Sequence, residues 1–246
     1  MHHSSNPGLK GTLPFKLTFN YNQHMPRLAR AVFPTIPHHI TQRGNRCEDV
    51  FFSDEDRFFY LDLLQHYSKK YNVAVLAYCL MDNHIHLVLT PETEDGLQKL
   101  LKPVHMRYAQ YINKLKGWKG HLWQGRFFSS ALDDVYACST VRYVERNPVQ
   151  ANMVSVAEQY RWSSAAYHCG LVGSTLLTPL PQEYKVVSPD EWSGWLALAE
   201  SKERIGVISR NTEKGLPCGS EDFIIRLEQL TKRTLHYRPQ GRPNKG

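Results

Sequence analysis

The sequence predicts an α+β fold, a split βαβ core on an antiparallel sheet with extra C-terminal helices and a basic tail. Three observations carry this expectation. Two β-rich runs lie back to back around a polar turn within residues 73–90, two helical stretches flank them at 55–71 and 97–115, and shorter strand signals stand at 38–42 and 120–130. The order is β-α-β-β-α-β with a further helix after it, the ferredoxin-like arrangement in which helices pack on a face of the sheet.

Each element has its own signal. Pro34 and Pro37 lead into the first strand, and Arg43-Gly44-Asn45 ends it as a turn. Ser53-Asp54 is an N-cap signal before a helix with Phe58, Leu61, Leu64, Tyr67 and Tyr71 at helical spacing. Residues 73–80 and 85–90 are rich in strand formers and are separated by Met81-Asp82-Asn83-His84, which reads as a hairpin. Leu97, Leu100, Leu101, Val104, Tyr108, Tyr111 and Leu115 mark the second helix, with Pro103 as a potential kink. Residues 120–130 read as a strand, and Asp133 or Asp134 caps a helix from about residue 135 that Pro148 ends. Beyond residue 170 the signals weaken: 191–204 and 220–230 look helical, and the last nine residues look disordered.

Composition bounds the setting. A chain of 246 residues holds one domain of about 150 residues with appendages, or one larger domain. No apolar run approaches the roughly 20 residues that span a bilayer, and the first 24 residues lack a signal-peptide pattern, so the expected location is cytoplasmic. Met25 opens a denser sequence, which marks residues 1–24 as a disordered or expression-derived leader. Five widely spaced cysteines with no CxxC pair argue for free thiols and against both a disulfide framework and structural zinc. Net charge is +7, and residues 201–246 hold ten Lys/Arg against five Asp/Glu, so the middle of the chain is close to neutral. A neutral core with a basic end suits either contact with a polyanion or a solvated tail.

His84-Ile85-His86 is the sharpest local signal. Alternate strand residues face the same side, so the two imidazoles stand about 7 Å apart along the backbone and can converge on one divalent ion. Two partly exposed polar residues are the plainer reading. On the helix before Pro148, Tyr143 and Asn147 are four residues apart and share a face. Tyr143 is either a nucleophile beside an ion or a core aromatic, and Asn147 either joins that site or caps the helix. A free tyrosine is ionised in only roughly one molecule in a thousand at neutral pH, so it needs such help.

Six ordered motifs extend the pattern: Met25-Pro-Arg-Leu-Ala-Arg30, His39-Ile-Thr-Gln-Arg-Gly-Asn45, Met81-Asp-Asn-His-Ile-His86, His121-Leu-Trp-Gln-Gly-Arg-Phe127, Tyr143-Val-Glu-Arg-Asn-Pro-Val149 and Tyr160-Arg-Trp-Ser-Ser164. Across them the chain resembles the REP-associated tyrosine transposases, in the single-tyrosine branch of the HUH (His-hydrophobic-His) endonucleases. The resemblance implies a catalytic domain over residues 25–170 and a helical extension with a basic, partly disordered tail over 171–246. It further implies a divalent metal, Mg²⁺ or Mn²⁺, held by His84 and His86 with Asn147 as third ligand. Tyr143 would be the nucleophile, forming a 5′-phosphotyrosine and freeing a 3′-OH that can later rejoin the strand. The implied substrate is single-stranded DNA folded into REP-type hairpins, and the implied setting is the nucleoid, with the protein a monomer or homodimer.

Arg43, Asn45, Arg107, Lys114 and Arg126 are the expected DNA contacts, with Lys99, Lys102, Lys116 and Lys119 adding to a basic helix and the turn after it. His38 and His39 lie beside them on the first strand, as DNA contacts or as part of an edge strand. Trp123, Phe127 and Phe128 offer either base stacking or buried aromatics. Tyr108 and Tyr111 fall on an apolar stripe and read as core, and Glu145 reads as a surface acid. Two rival functions stand beside the enzyme: a non-catalytic module that binds REP hairpins, and a zinc hydrolase, which lacks the usual ligand set. Only strand transfer requires His84, His86 and Tyr143 together.

Overall fold

The computed structural model describes residues 31–184, 186–198 and 201–238. The expected leader and the tail beyond residue 238 lie outside the described residues. The core elements follow in the predicted order: β1 His38–Arg43, α1 Asp54–Lys70, β2 Val73–Met81, β3 His84–Pro91, α2 Gly96–Lys116, β4 Phe128–Ala131 and α3 Asp134–Gln150. Beyond them come α4 Ala165–His168, α5 Pro189–Ala197, α6 Lys202–Lys214 and α7 Glu221–Thr231. The sheet is antiparallel throughout, in the order β2-β3-β1-β4. The class is therefore α+β with the ferredoxin-like core, as the element order predicts.

Strand alternation sorts the sheet into two faces. Ile40, Ile85, Leu87 and Leu89 point to one face and are fully buried; α1 and α2, which pack on each other, cover it. His39, Thr41, Arg43, His84, His86 and Val88 point to the other, which α3 covers. Helices thus lie on both faces, rather than the one face expected. Ser53 starts α1 with a capping box: its Oγ accepts the Asp56 N–H at 3.3 Å, and Asp56 Oδ2 accepts the Ser53 N–H at 3.1 Å.

The β2–β3 hairpin turns on two residues, Asp82 and Asn83, with Met81 paired to His84. The turn is pinned from outside the hairpin. Asp82 O accepts the N–H groups of Val50 and Phe51 at 2.8 and 3.0 Å, and Asn83 O accepts the Gly44 N–H at 2.8 Å. Gly44 is required by this close approach: a Cβ there would lie 2.2 Å from Glu48 O.

Several boundaries differ from expectation. Of the expected strand 120–130 only residues 128–130 join the sheet as β4, together with Ala131, opposite residues 38–41 of β1. The preceding loop zips onto the end of β1 through Gln124 N to Arg43 O (2.9 Å), Asn45 N to Leu122 O (2.8 Å) and Gln42 Nε2 to Gly125 O (2.9 Å). Pro148 sits in the last turn of α3 instead of ending it, and the helix runs to Gln150. The expected helix over 191–204 is two helices. Leu198 and Ser201 have extended backbones, and Ser201 Oγ caps α6 by accepting the Arg204 N–H at 3.3 Å.

β1 is an interior strand, and this corrects the reading of His38 and His39 as DNA contacts: both are buried. His38 Nδ1–H donates to Ile36 O at 2.7 Å, and Nε2 accepts the Phe33 N–H at 3.2 Å. Burial pushes its pKa down to about 4, against a small upward pull from Ile36 O. Phe33, Ala131, Phe223, Leu227 and Leu235 form a second apolar cluster that docks α7 at this end of the sheet. Lys202, Arg204, Arg210, Lys214 and Arg226, read as part of a basic tail, lie on the packed helices α6 and α7. All five cysteines are free thiols, with only Cys47 exposed. Among the described residues no helix is long and apolar enough to cross a membrane.

Candidate active site

The hairpin turn delivers His84 and His86 to the α3 face at the start of β3. Their rings lie 4.9 Å apart and nearly perpendicular, at 76°. His84 is half-buried and His86 buried. Burial, with help from the Arg43 charge, pushes the His84 pKa down to about 4. His86 is lowered well below its ordinary value by burial first, then by His84, His39 and Arg43. Both rings are therefore neutral at physiological pH, the form in which imidazole ligates a metal.

Hydrogen bonding orients His84 for that task. Asn83 Nδ2 donates to Cys47 O at 3.1 Å, which turns Asn83 Oδ1 towards His84. Because Oδ1 only accepts, His84 Nδ1, at 2.6 Å, carries the proton, and the Nε2 lone pair is left bare.

Tyr143 packs edge-on against this pair. Its ring centroid is 5.6 Å from that of His86 and 5.8 Å from that of His39, at 90° and 88°. It is buried at 8% exposure. Asn147, half-buried one turn along α3, donates Nδ2 to Tyr143 O at 2.8 Å, so Oδ1 is the side-chain atom able to ligate. Among the described residues no cluster of three or more His, Cys, Asp or Glu could hold a metal ion. Two imidazoles and an amide oxygen are a different kind of set: a neutral one that would leave positions for phosphate oxygens and water around an ion.

Other tyrosines are held away. Tyr108 is fully buried, donates its hydroxyl to Val50 O at 2.6 Å, and has its pKa raised by burial. Tyr111 packs against Phe59, with centroids 4.5 Å apart and the rings tilted at 41°. Tyr136 lies beneath the Arg204 guanidinium at 5.8 Å.

Of the expected DNA contacts, Arg43, Arg107, Lys114 and Arg126 are exposed and Asn45 is half-buried. Arg43 is the cross-strand neighbour of His84. Asn45 and Arg126 line an open cleft of about 650 Å³ with Gln110, Asn113, His121 and Gln124, and no carboxylate lines it. Lys99 is paired with Asp95 at 2.6 Å, and Lys116 lies over the Phe52 ring at 4.1 Å. Trp123 and Phe127 are buried, with Trp123 Nε1 donating to His105 O at 3.0 Å, so the core reading holds for both.

Two residues were read wrongly from sequence. His39, 1% exposed, sits 3.0 Å from His86 Nδ1 through Nε2 and 2.8 Å from Thr212 Oγ1 through Nδ1. Burial lowers its pKa to about 3. Glu145 is wholly buried: Oε1 accepts from Ser164 Oγ and His168 Nδ1, each at 2.5 Å, and Oε2 from Trp192 Nε1 at 2.8 Å. Neither contact has a local signal, because the partners are up to 173 residues away.

Comparison with known proteins agrees with this architecture. Residues 33–147, from before β1 through most of α3, match the family model "Transposase IS200 like". A solved REP-associated tyrosine transposase bound to a REP hairpin matches at 15% identity and a TM-score of 0.50, covering 64% of this chain and 100% of that one. A crystal structure described as that of a putative transposase from Deinococcus radiodurans matches at 18% identity and a TM-score of 0.35, over 51% of this chain and 97% of that one. No curated protein matches the sequence. Residues 33–147 thus resemble an IS200-like transposase domain, on a fold that is also seen in a REP-associated tyrosine transposase.

Proposed function

We propose that this chain is a metal-dependent endonuclease and strand transferase acting on single-stranded DNA with REP-type hairpins. The observation that carries the reading is Tyr143 packed edge-on against His86, with His84 beside it and oriented by Asn83. A second copy of the chain is not required by this arrangement, and the working place would be the nucleoid.

His84 Nε2, His86 Nε2 and Asn147 Oδ1 would hold the ion. Bound there, Mg²⁺ or Mn²⁺ supplies Lewis-acid polarisation of the scissile phosphate. Arg43, across the strand pair from His84, places positive charge where that phosphate enters. Tyr143 Oη attacks phosphorus, the P–O3′ bond breaks, and the phenolic proton is balanced by protonation of the departing 3′ oxygen. The product is a 5′-phosphotyrosine and a free 3′-OH. Reversal by a 3′-OH restores a phosphodiester and the phenol, so one ester replaces another and no nucleotide cofactor is consumed.

The test is a denaturing gel of the protein incubated with labelled REP-type hairpins and Mn²⁺. A covalent adduct should form with Mn²⁺ and vanish with EDTA. Tight hairpin binding with no adduct under any divalent ion would overturn the enzyme reading and leave the binding module.

Arg126 in the cleft and Arg43 beside His84 suggest how the strand is held. Arg43→Ala with Arg126→Ala removes two phosphate contacts, so hairpin affinity should fall. The slope of log K against log salt should flatten by about 1.4, at ~0.7 per single-strand phosphate. Filter binding from 50 to 300 mM salt reads this, and an unchanged slope would show that neither guanidinium meets a phosphate.

A further inference from the structure

Helix α6 lies outside the matched segment 33–147, yet it places one side chain against the histidine cluster. Thr212 Oγ1 donates its only proton to Ile208 O, one turn back at 2.7 Å. A carbonyl oxygen cannot donate, so that proton is committed and the hydroxyl must accept from His39 Nδ1, 2.8 Å away. His39 then has its proton on Nδ1 and a bare Nε2. The facing His86 Nδ1, at 3.0 Å, must donate to it. The consequence is a bare His86 Nε2, the atom a metal would bind. The two rings are nearly coplanar, at 5° with centroids 5.2 Å apart, and both are buried, the geometry of an in-plane hydrogen bond from one ring to the other.

We propose that Thr212 of α6, acting through His39, is a positioning residue that sets the tautomer of the candidate ligand His86. His84 is set by its neighbour Asn83, inside the same turn. His86 is set from 126 positions further along the chain, by an element the family segment does not contain. This inference rests on the metal reading of the site.

The test compares Thr212→Val, which keeps the shape and deletes the hydroxyl, with Thr212→Ser, which keeps the hydroxyl. Ring ¹⁵N shifts in the metal-free protein report the tautomers whether or not a metal ever binds. Wild type and Thr212→Ser should show His39 and His86 protonated on Nδ1. In Thr212→Val the His39 Nδ1–H loses its acceptor, and a population with protons on Nε2 of both rings should appear. Mn²⁺ titration followed by electron paramagnetic resonance should show binding weakened about 10- to 100-fold in Thr212→Val and near wild type in Thr212→Ser. His86 carrying Nε2–H in wild type would overturn the proposal. So would Thr212→Val with unchanged tautomers, or Thr212→Ser binding as weakly as Thr212→Val. Wild type with the expected tautomers but no uptake of Mn²⁺ would sink the metal reading while upholding the hydrogen-bond chain.

Discussion

Tyr143→Phe should abolish the covalent DNA adduct, by at least ~10³-fold, while leaving hairpin affinity and Mn²⁺ affinity within about twofold of wild type. The substitution deletes one hydroxyl and keeps the ring that packs edge-on against His39 and His86. Stability should therefore change by about 1 kcal/mol or less. The discriminating measurement is peptide mass analysis of the wild-type adduct. DNA on Tyr143 supports the assignment, and DNA on any other tyrosine sinks it. Tyr108 is a poor rival because its hydroxyl is already bonded to Val50 O, and ionising it in that buried place is costly. Tyr136, two turns before Tyr143 on α3, faces Arg204 of α6 and not the histidines.

Glu145→Ala should cost about 3–5 kcal/mol of stability, the range found when one partner of a buried polar pair is removed. Three donors, Ser164 Oγ, His168 Nδ1 and Trp192 Nε1, converge on its two oxygens inside the fold; the His168 and Trp192 donors would lose this acceptor, and Ser164 Oγ would keep only Tyr78 O at 3.4 Å. For a protein of this size the melting temperature should fall by roughly 10 °C. Glu145→Gln separates the contributions. Its oxygen can still serve Ser164 and His168, but its NH₂ would face the Trp192 N–H, so a cost of about 1–3 kcal/mol is expected. Adding Trp192→Phe to Glu145→Gln should then cost less than Trp192→Phe does alone. Additive losses in that cycle, or a Glu145→Ala melting point within 2–3 °C of wild type (about 1 kcal/mol), would show that the carboxyl does not tie α3 to α4 and α5.

Local composition and spacing made the core legible. The two runs of strand formers within residues 73–90 and the turn between them locate the hairpin, and the i, i+2 relation of His84 and His86 puts both rings on one face. The i, i+4 relation of Tyr143 and Asn147 places them on one face of α3, where they are joined by the Asn147 Nδ2 bond to Tyr143 O. What stayed hidden depends on contacts that are remote in sequence. His39 reads as a strand-end polar residue until β3 and β4 flank it, and Glu145 reads as a surface acid until α4 and α5 fold over it. Thr212 lies beyond the expected helix over 191–204, in a stretch that read as a loop and folds as α6. A capping signal was present in Ser201, with Ile205 and Ile208 following at helical spacing and Gly215 at the left-handed C-cap position.

The two-residue turn between β2 and β3 has a consequence for which changes in chain length the protein tolerates. Side chains in a strand change faces with every residue, so one residue added at Asp82-Asn83 that shifted β3 by a single step would turn both imidazoles inward. They would point into the apolar layer beneath α1 and α2, and Ile85 and Leu87 would take their place under α3. No compensating adjustment is at hand, because Asp82 and Asn83 are bonded to the backbone of Val50, Phe51 and Gly44. Point substitutions in this turn act on one contact at a time, whereas insertions and deletions act on the whole strand. Such changes should be far rarer here, in any descendant that keeps its chemistry, than in the long connections beyond α4.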